Sequence, residues 1–178
     1  MSKLPSRLAF ALALSLSVPL SASAKEAGPS DANIAAIAVT ANQVDVDAGN
    51  QALAKTTNAE VKKFAQLMVT DHSSVIKQAS DLAGKLKLTP VDNDLSKKLK
   101  SDGAATASKL KALSGAEFDR AYVANEVAYH RAVLDALDKV LIPGAKNAEL
   151  KSLLESVRPV IAQHLGHAED LQKTVASR

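Results

Sequence analysis

Apolar residues recur every three or four positions along four stretches of this 178-residue chain, and that period restricts the fold more than any other feature. A repeat near 3.6 lays one apolar stripe along a helix, and several such stripes can be buried only against one another. The first runs through Ile34, Ala38, Ala41, Asp45, Ala48 and Ala52, with Asp31 as the expected cap and Thr56-Thr57 as the end. The second, from about Asn58, runs through Val61, Phe64, Ala65, Met68, His72, Val75, Ile76, Ala79, Ala83 and Leu86. A fourth carries Phe118, Tyr122, Val123, Val127, His130, Leu134, Leu137 and Leu141, and a last carries Leu150, Leu154, Val157, Ile161, His164, Ala168 and Leu171. Between the second and fourth lies a shorter helix, about Asn93 to Leu113, weakened by Gly103, since glycine costs about 1 kcal/mol against alanine inside a helix.

The breaks fall where helix chemistry places them. Pro90 interrupts the pattern between Lys87 and Asp92, Pro143-Gly144 stops the fourth helix, and Asn147 with Glu149 opens the last. Ser114 and Glu117 have the S-x-x-E spacing of a capping box. Pro159 lies inside the last helix, where it removes one hydrogen bond and predicts a kink. No strand-like alternation is present, and short links between long helices predict antiparallel neighbours. The expected architecture is all-α: an antiparallel four-helix bundle with one additional shorter helix.

The N-terminus reads differently. Lys3 and Arg7 precede the apolar run Leu8 to Leu16, and Ala22-Ser23-Ala24 closes it, the order of a secretory signal peptide with cleavage expected after Ala24. The run is shorter than the roughly 20 residues a spanning helix needs. This division makes residues 1–24 a signal peptide, 25–30 a leader and 31–178 a single helical domain, with the periplasm as the expected compartment. The sequence contains no cysteine, which excludes a cysteine-linked lipid anchor, disulfides, thiolate metal sites and cysteine nucleophiles.

Removing Lys3 and Arg7 takes the basic residues from 22 to 20 against 19 acidic ones, a net charge of +1. With neither a basic excess nor a set of aromatic platforms, nucleic-acid binding is not expected. Lys85, Lys87, Lys97, Lys98 and Lys100 alternate with Asp92, Asp94 and Asp102, as on a solvated face. Met68 beside Phe64 reads as core filling.

One constellation stands out. His72, His130 and His164 fall on the apolar seams of three different helices and Asp45 on the seam of a fourth. Burying a polar group without a partner costs roughly 2–7 kcal/mol, so these four must pair with each other, hold an ion or reach water. Counting outward from Thr57 leaves Asp45 and His72 about 4.5 Å apart in depth, and counting from Gly144 leaves His130 and His164 roughly 9 Å apart, at 1.5 Å per residue. A position near mid-bundle, without one shared layer, is therefore expected.

Three imidazoles and a carboxylate suit zinc, copper, iron or nickel, with Asp71, Glu126 and His167 close enough in sequence to add ligands or to orient them. The alternative is a metal-free polar core in which His72 pairs with Asp45, His130 bonds a neighbour or Tyr122, and His167 is solvated. A ferritin-type di-iron site needs Glu-x-x-His on two helices, and no glutamate here has a histidine three residues on. Ser74-Val75-Ile76-Lys77 matches the S-x-x-K of penicillin-recognising enzymes, but K-T-G is missing, Ser101-Asp102-Gly103 is only near S-D-N, and no sheet is predicted to present them.

These residues also carry a resemblance. Glu60 to Val69 followed by Asp71-His72, then Phe118 to Tyr122 with His130, then Pro159 with His164, resemble the bacterial exported family called domain of unknown function 4142, over about Asn33 to Val175. Members are often labelled outer-membrane proteins. The family usually carries glutamate where this chain has Asp45, one methylene shorter. The resemblance implies a ferritin-like four-helix core outside the cytoplasm and no known activity. No spanning helix or barrel strand is predicted to support a membrane-embedded form.

Three functions follow as expectations. The first is an exported, non-enzymatic bundle in envelope maintenance or stress tolerance, with an envelope protein or a second copy as partner. The second is a metal-binding or redox protein using His72, His130 and His164 with oxygen ligands from Asp45, Asp71 or Glu126. A pH-sensitive scaffold is a third, because unperturbed histidine titrates near about pH 6.5.

Overall fold

The computed structural model of the protein describes residues 28–176, so the expected signal peptide and its cleavage site lie outside the described residues. The described chain is all-α, with five long helices and no strand among the described residues. These are α1 (Asp31–Lys55), α2 (Ala59–Lys85), α3 (Asp94–Ala112), α4 (Gly115–Ala136) and, after a short helical turn α5 (Ile142–Gly144), α6 (Ala148–Ala176). A π-helical segment, Leu137–Leu141, joins α4 to α5 without a break. Among the described residues no helix is long and apolar enough to cross a membrane.

Local chemistry explains most of the boundaries and corrects two. The cap of α1 is Ser30, not Asp31: its hydroxyl accepts from Asn33 N–H, and the Asn33 side chain accepts from Ser30 N–H. Asp31 instead reaches across the fold, where its carboxylate accepts from the backbone N–H groups of Lys146 (2.8 Å) and Asn147 (3.0 Å) at the start of α6. Ser114 makes no side-chain cap bond, so the expected capping box with Glu117 does not form. Gly115 follows it at φ +54, a left-handed entry that glycine tolerates and that turns the chain away from box geometry. Asn58 and Asn147 do cap their helices, each side chain accepting two backbone N–H groups. At the end of α2, Lys87 takes a left-handed conformation (φ 53) while Leu88 N–H reaches back to Ala83 O, the six-to-one bond of a Schellman turn.

Helix α1 packs along α2, and α4 along α6; α2 also meets α6, and α1 meets α4. Helix α3 rides on the outside of α1. Glycine is what lets it approach: a Cβ on Gly103 would lie 2.9 Å from Val44 Cγ1, so the residue that lowers α3 propensity also seats α3. Gly49 does the same between α1 and α2, where a Cβ would meet Val69 Cγ2 at 2.8 Å. Helix α6 runs unbroken through Pro159.

The interior divides into two apolar clusters. One holds Phe64, Met68, Phe118, Tyr122 and Val123 with Ala168 and Leu171. The other is aliphatic, built from Ile34, Ile37, Leu137, Leu141, Leu150, Leu154 and Ile161. Between them lies a polar layer.

Candidate metal centre

Each of four helices brings a polar side chain into that layer. Asp45 comes from α1, His72 from α2, His130 and Glu126 from α4, and His164 from α6, each no more than 3% exposed. The expected depth offset between His130 and His164 is absent, and the three imidazole rings stand with centroids 5.2 to 5.6 Å apart. Counted between helix ends, His130 lies 14 residues before Gly144 and His164 lies 16 after Ala148, a difference of only about 3 Å. The linker residues between them cross from helix to helix and do not advance along the bundle.

One ring nitrogen of each histidine is engaged by a group that can only accept. His72 Nδ1 lies 2.7 Å from Asn42 Oδ1, and the Asn42 amide N–H₂ donates to Ala38 O, which fixes Oδ1 as the acceptor. His130 Nδ1 donates to the backbone oxygen of Glu126 at 2.9 Å, and His164 Nε2 donates to Asp71 Oδ2 at 2.9 Å. The remaining nitrogens, His72 Nε2, His130 Nε2 and His164 Nδ1, therefore carry bare lone pairs, and all three are buried without a protein hydrogen-bond partner. Two of them face the same oxygen: Asp45 Oδ2 lies 3.1 Å from His72 Nε2 and 3.4 Å from His130 Nε2. A carboxylate oxygen and an imidazole lone pair at such distances repel unless a proton or a metal ion stands between them.

Those separations match metal coordination. An ion about 2.1 Å from each of four tetrahedral ligands sets ligand atoms about 3.4 Å apart. One ligand atom from each of His72, His130 and His164 lies within 4.8 Å of the others, and the same holds for Asp45, Glu126 and His130. The engaged nitrogens supply what ligating imidazoles need around them, an acceptor that fixes the tautomer and ring orientation. Glu126 Oε2 is 3.6 Å from His130 Nδ1 and has no hydrogen-bond partner in the protein.

The electrostatics favour the same outcome. Burial lowers the pKa of His72 to about 3, with the His130 and His164 charges adding to the effect. Burial likewise lowers His130 and His164, so all three stay neutral and basic toward a metal. Burial pushes Asp45 and Glu126 upward, Glu126 strongly, and the Asp45 charge raises Glu126 further. Without a cation, burial favours the protonated forms of these carboxylates.

Asp71 stands beyond His164 as an orienting partner, its side chain 34% exposed and its second face toward solvent. His167 does not join the cluster. It is exposed, one turn further along α6, and packs edge-on against Phe64 at 5.0 Å. Asn42 is the residue that reading the sequence misses, although it sits one turn before Asp45 on the same helix. Tyr122, expected as a partner for His130, makes no such bond: its buried hydroxyl has no protein partner, and burial with the Glu126 and Asp45 charges raises its pKa well above the usual phenol value.

The sequence model of the family described as Domain of unknown function (DUF4142) matches residues 17–171. The chain belongs to the DUF4142 family. That match spans every residue of the polar layer, and the family description assigns no activity to it. No curated protein and no solved structure matches this DUF4142 chain.

Proposed function

We propose that this DUF4142 protein binds one transition-metal ion through His72, His130, His164 and Asp45, with Glu126 close enough to exchange with or supplement Asp45. The observation that carries the reading is the set of three imidazoles, each tied at one nitrogen and each presenting the other unpaired, two of them to a single carboxylate oxygen. This arrangement favours a metal over the metal-free polar core, in which a proton on Asp45 would serve only one of His72 and His130 and leave His164 Nδ1 without a donor. Three nitrogens and one oxygen suit zinc, copper or iron. The ion would relieve repulsion among the lone pairs, neutralise the buried carboxylates and lock four helices together.

Export belongs to the same reading. The Lys3 to Ala24 pattern supports release into the periplasm, where the bundle would hold its metal, and a role in envelope maintenance or stress tolerance rests on that placement. N-terminal sequencing of the protein recovered from the periplasmic fraction checks it; a chain retained in the cytoplasm and still beginning at Met1 refutes it.

Plasma mass spectrometry of the protein purified without chelator tests the site, beside His72→Ala, His130→Ala and His164→Ala. About one equivalent of metal in the wild type, lost in each variant, is the expected result. A wild type that remains metal-free after incubation with zinc, copper and iron overturns the proposal.

A further inference from the structure

The polar layer is open on one side to a pocket that its own residues cap. Stepping away from the layer turn by turn, α1 goes from Asp45 past Asn42 and Ala41 to Ala38, α2 from His72 through Val75 to Ala79, and α6 from Ile161 through Val157 to Leu154, so that beyond Asn42 these three walls are apolar. On α4 the path passes from His130 into the π-helical segment, whose Leu137 and Leu141 both face the pocket. Alanines on two adjoining helices leave a cavity of about 40 Å³ there.

Size excludes most ligands. Sites for organic molecules run to about 300–1,000 Å³, whereas one water needs about 10–15 Å³ on the same kind of measure. The walls exclude polar guests too, because their polar groups are already spent. The Tyr129 hydroxyl donates to Ala41 O, the Asn42 amide donates to Ala38 O, and Asn42 Oδ1 accepts from His72. Away from the layer, nothing on the wall offers water the two to four partners that would hold it. What remains are the unpaired atoms of Asp45, His72 and His130 at one end.

We infer that this cavity is a binding site for an uncharged diatomic gas, such as dioxygen or nitric oxide, delivered to the metal held by Asp45, His72, His130 and His164. The inference rests on the metal reading above. The centre then has two unlike approaches: a polar one for ions beside the partly exposed Asp71, and an apolar one for the gas. Ala79 and Leu154 set the width of the second and touch no proposed ligand role.

Xenon and nitric oxide test it together on the full mature chain. Xenon, read by ¹²⁹Xe nuclear magnetic resonance, needs no metal and reports the cavity alone. Nitric oxide added to protein loaded with ferrous iron is read by the paramagnetic signal of an iron nitrosyl and by its rate of formation. Wild type is expected to bind xenon and to form the nitrosyl. Ala79→Val is expected to lose the xenon signal and to slow nitrosyl formation roughly tenfold, with iron content unchanged, and Leu154→Ala to strengthen xenon binding. Iron bound but no xenon bound overturns this inference alone, as does a nitrosyl that forms at the wild-type rate in Ala79→Val. Xenon bound without any metal uptake overturns the metal reading, and the gas-delivery role with it.

Discussion

The two halves of the interior are built from different materials. On one side of the polar layer, Phe64, Phe118, Tyr122 and Met68 interlock, with Phe118 and Tyr122 stacked at 6.2 Å and Phe64 edge-on to Tyr122 at 6.3 Å. On the other side every core residue is aliphatic, and the cavity lies there. Large rigid rings fill space and hold the layer from behind, whereas short alanines and branched chains leave room beside it. The histidines are therefore supported from one direction and accessible from the other.

The hardest blow to that comparison is Phe64→Ala, which should cost about 3–5 kcal/mol in chemical unfolding, because the ring is fully buried and its neighbours are too bulky to collapse. A cost below about 1 kcal/mol would mean the aromatic half is not the rigid one.

Acid comes next. In the metal-free chain the folded-state pKa of His72 lies at about 3, below its unfolded value of 6.5, so the unfolded chain takes up that proton first. Stability is then full above pH 6.5 and falls as the pH drops toward 3, by up to roughly 4 kcal/mol from His72 alone. Raised carboxylates have the opposite sign: the Asp45 and Glu126 contributions favour folding at low pH and are lost as pH rises. Circular dichroism of chelator-treated protein should show the histidine loss steepening in Asp45→Asn with Glu126→Gln, where the opposing groups are gone. A profile flat from neutral to mildly acid in that double variant would contradict the burial of neutral imidazoles.

A pair of small insertions probes packing directly. Ala65→Val, in the aromatic half, should cost about 1–3 kcal/mol through overpacking, whereas Ala79→Val, on the cavity wall, should cost less than about 1 kcal/mol. Equal costs would erase the distinction between the two halves.

Smallest is Asp45→Asn alone. Its amide can donate to the His72 lone pair and carries no buried charge, so it should raise the metal-free midpoint by the equivalent of about 1 kcal/mol while removing metal binding. A destabilised metal-free variant would show that Asp45 serves the fold and not an ion.

Much of this was readable in advance, for a reason visible in particular residues. The seam periodicity is a local property, and it singles out Asp45, His72, His130 and His164 because each is a polar residue at an apolar position. Glu126 is found by its four-residue spacing from His130, and Asp71 by adjacency to His72. The shared layer is not readable that way, since its register depends on where each helix stops and how its linker crosses. Asn42 escapes notice because an amide on a helical stripe has many ordinary uses; only its pairing with the far side of His72 gives it meaning. The cavity depends on alanines from two helices meeting at one level, which no single stretch records.

The carboxylate of Asp31 holds the opening of a helix that lies 115 residues further along the chain. That latch has nothing to close on until the chain beyond Asn147 exists and has folded back, so it belongs to the closing moments of folding, when long-range contacts are made. A partly synthesised or partly threaded chain has the start of its first helix tied only to Val91, and the bundle completes itself when its last helix arrives.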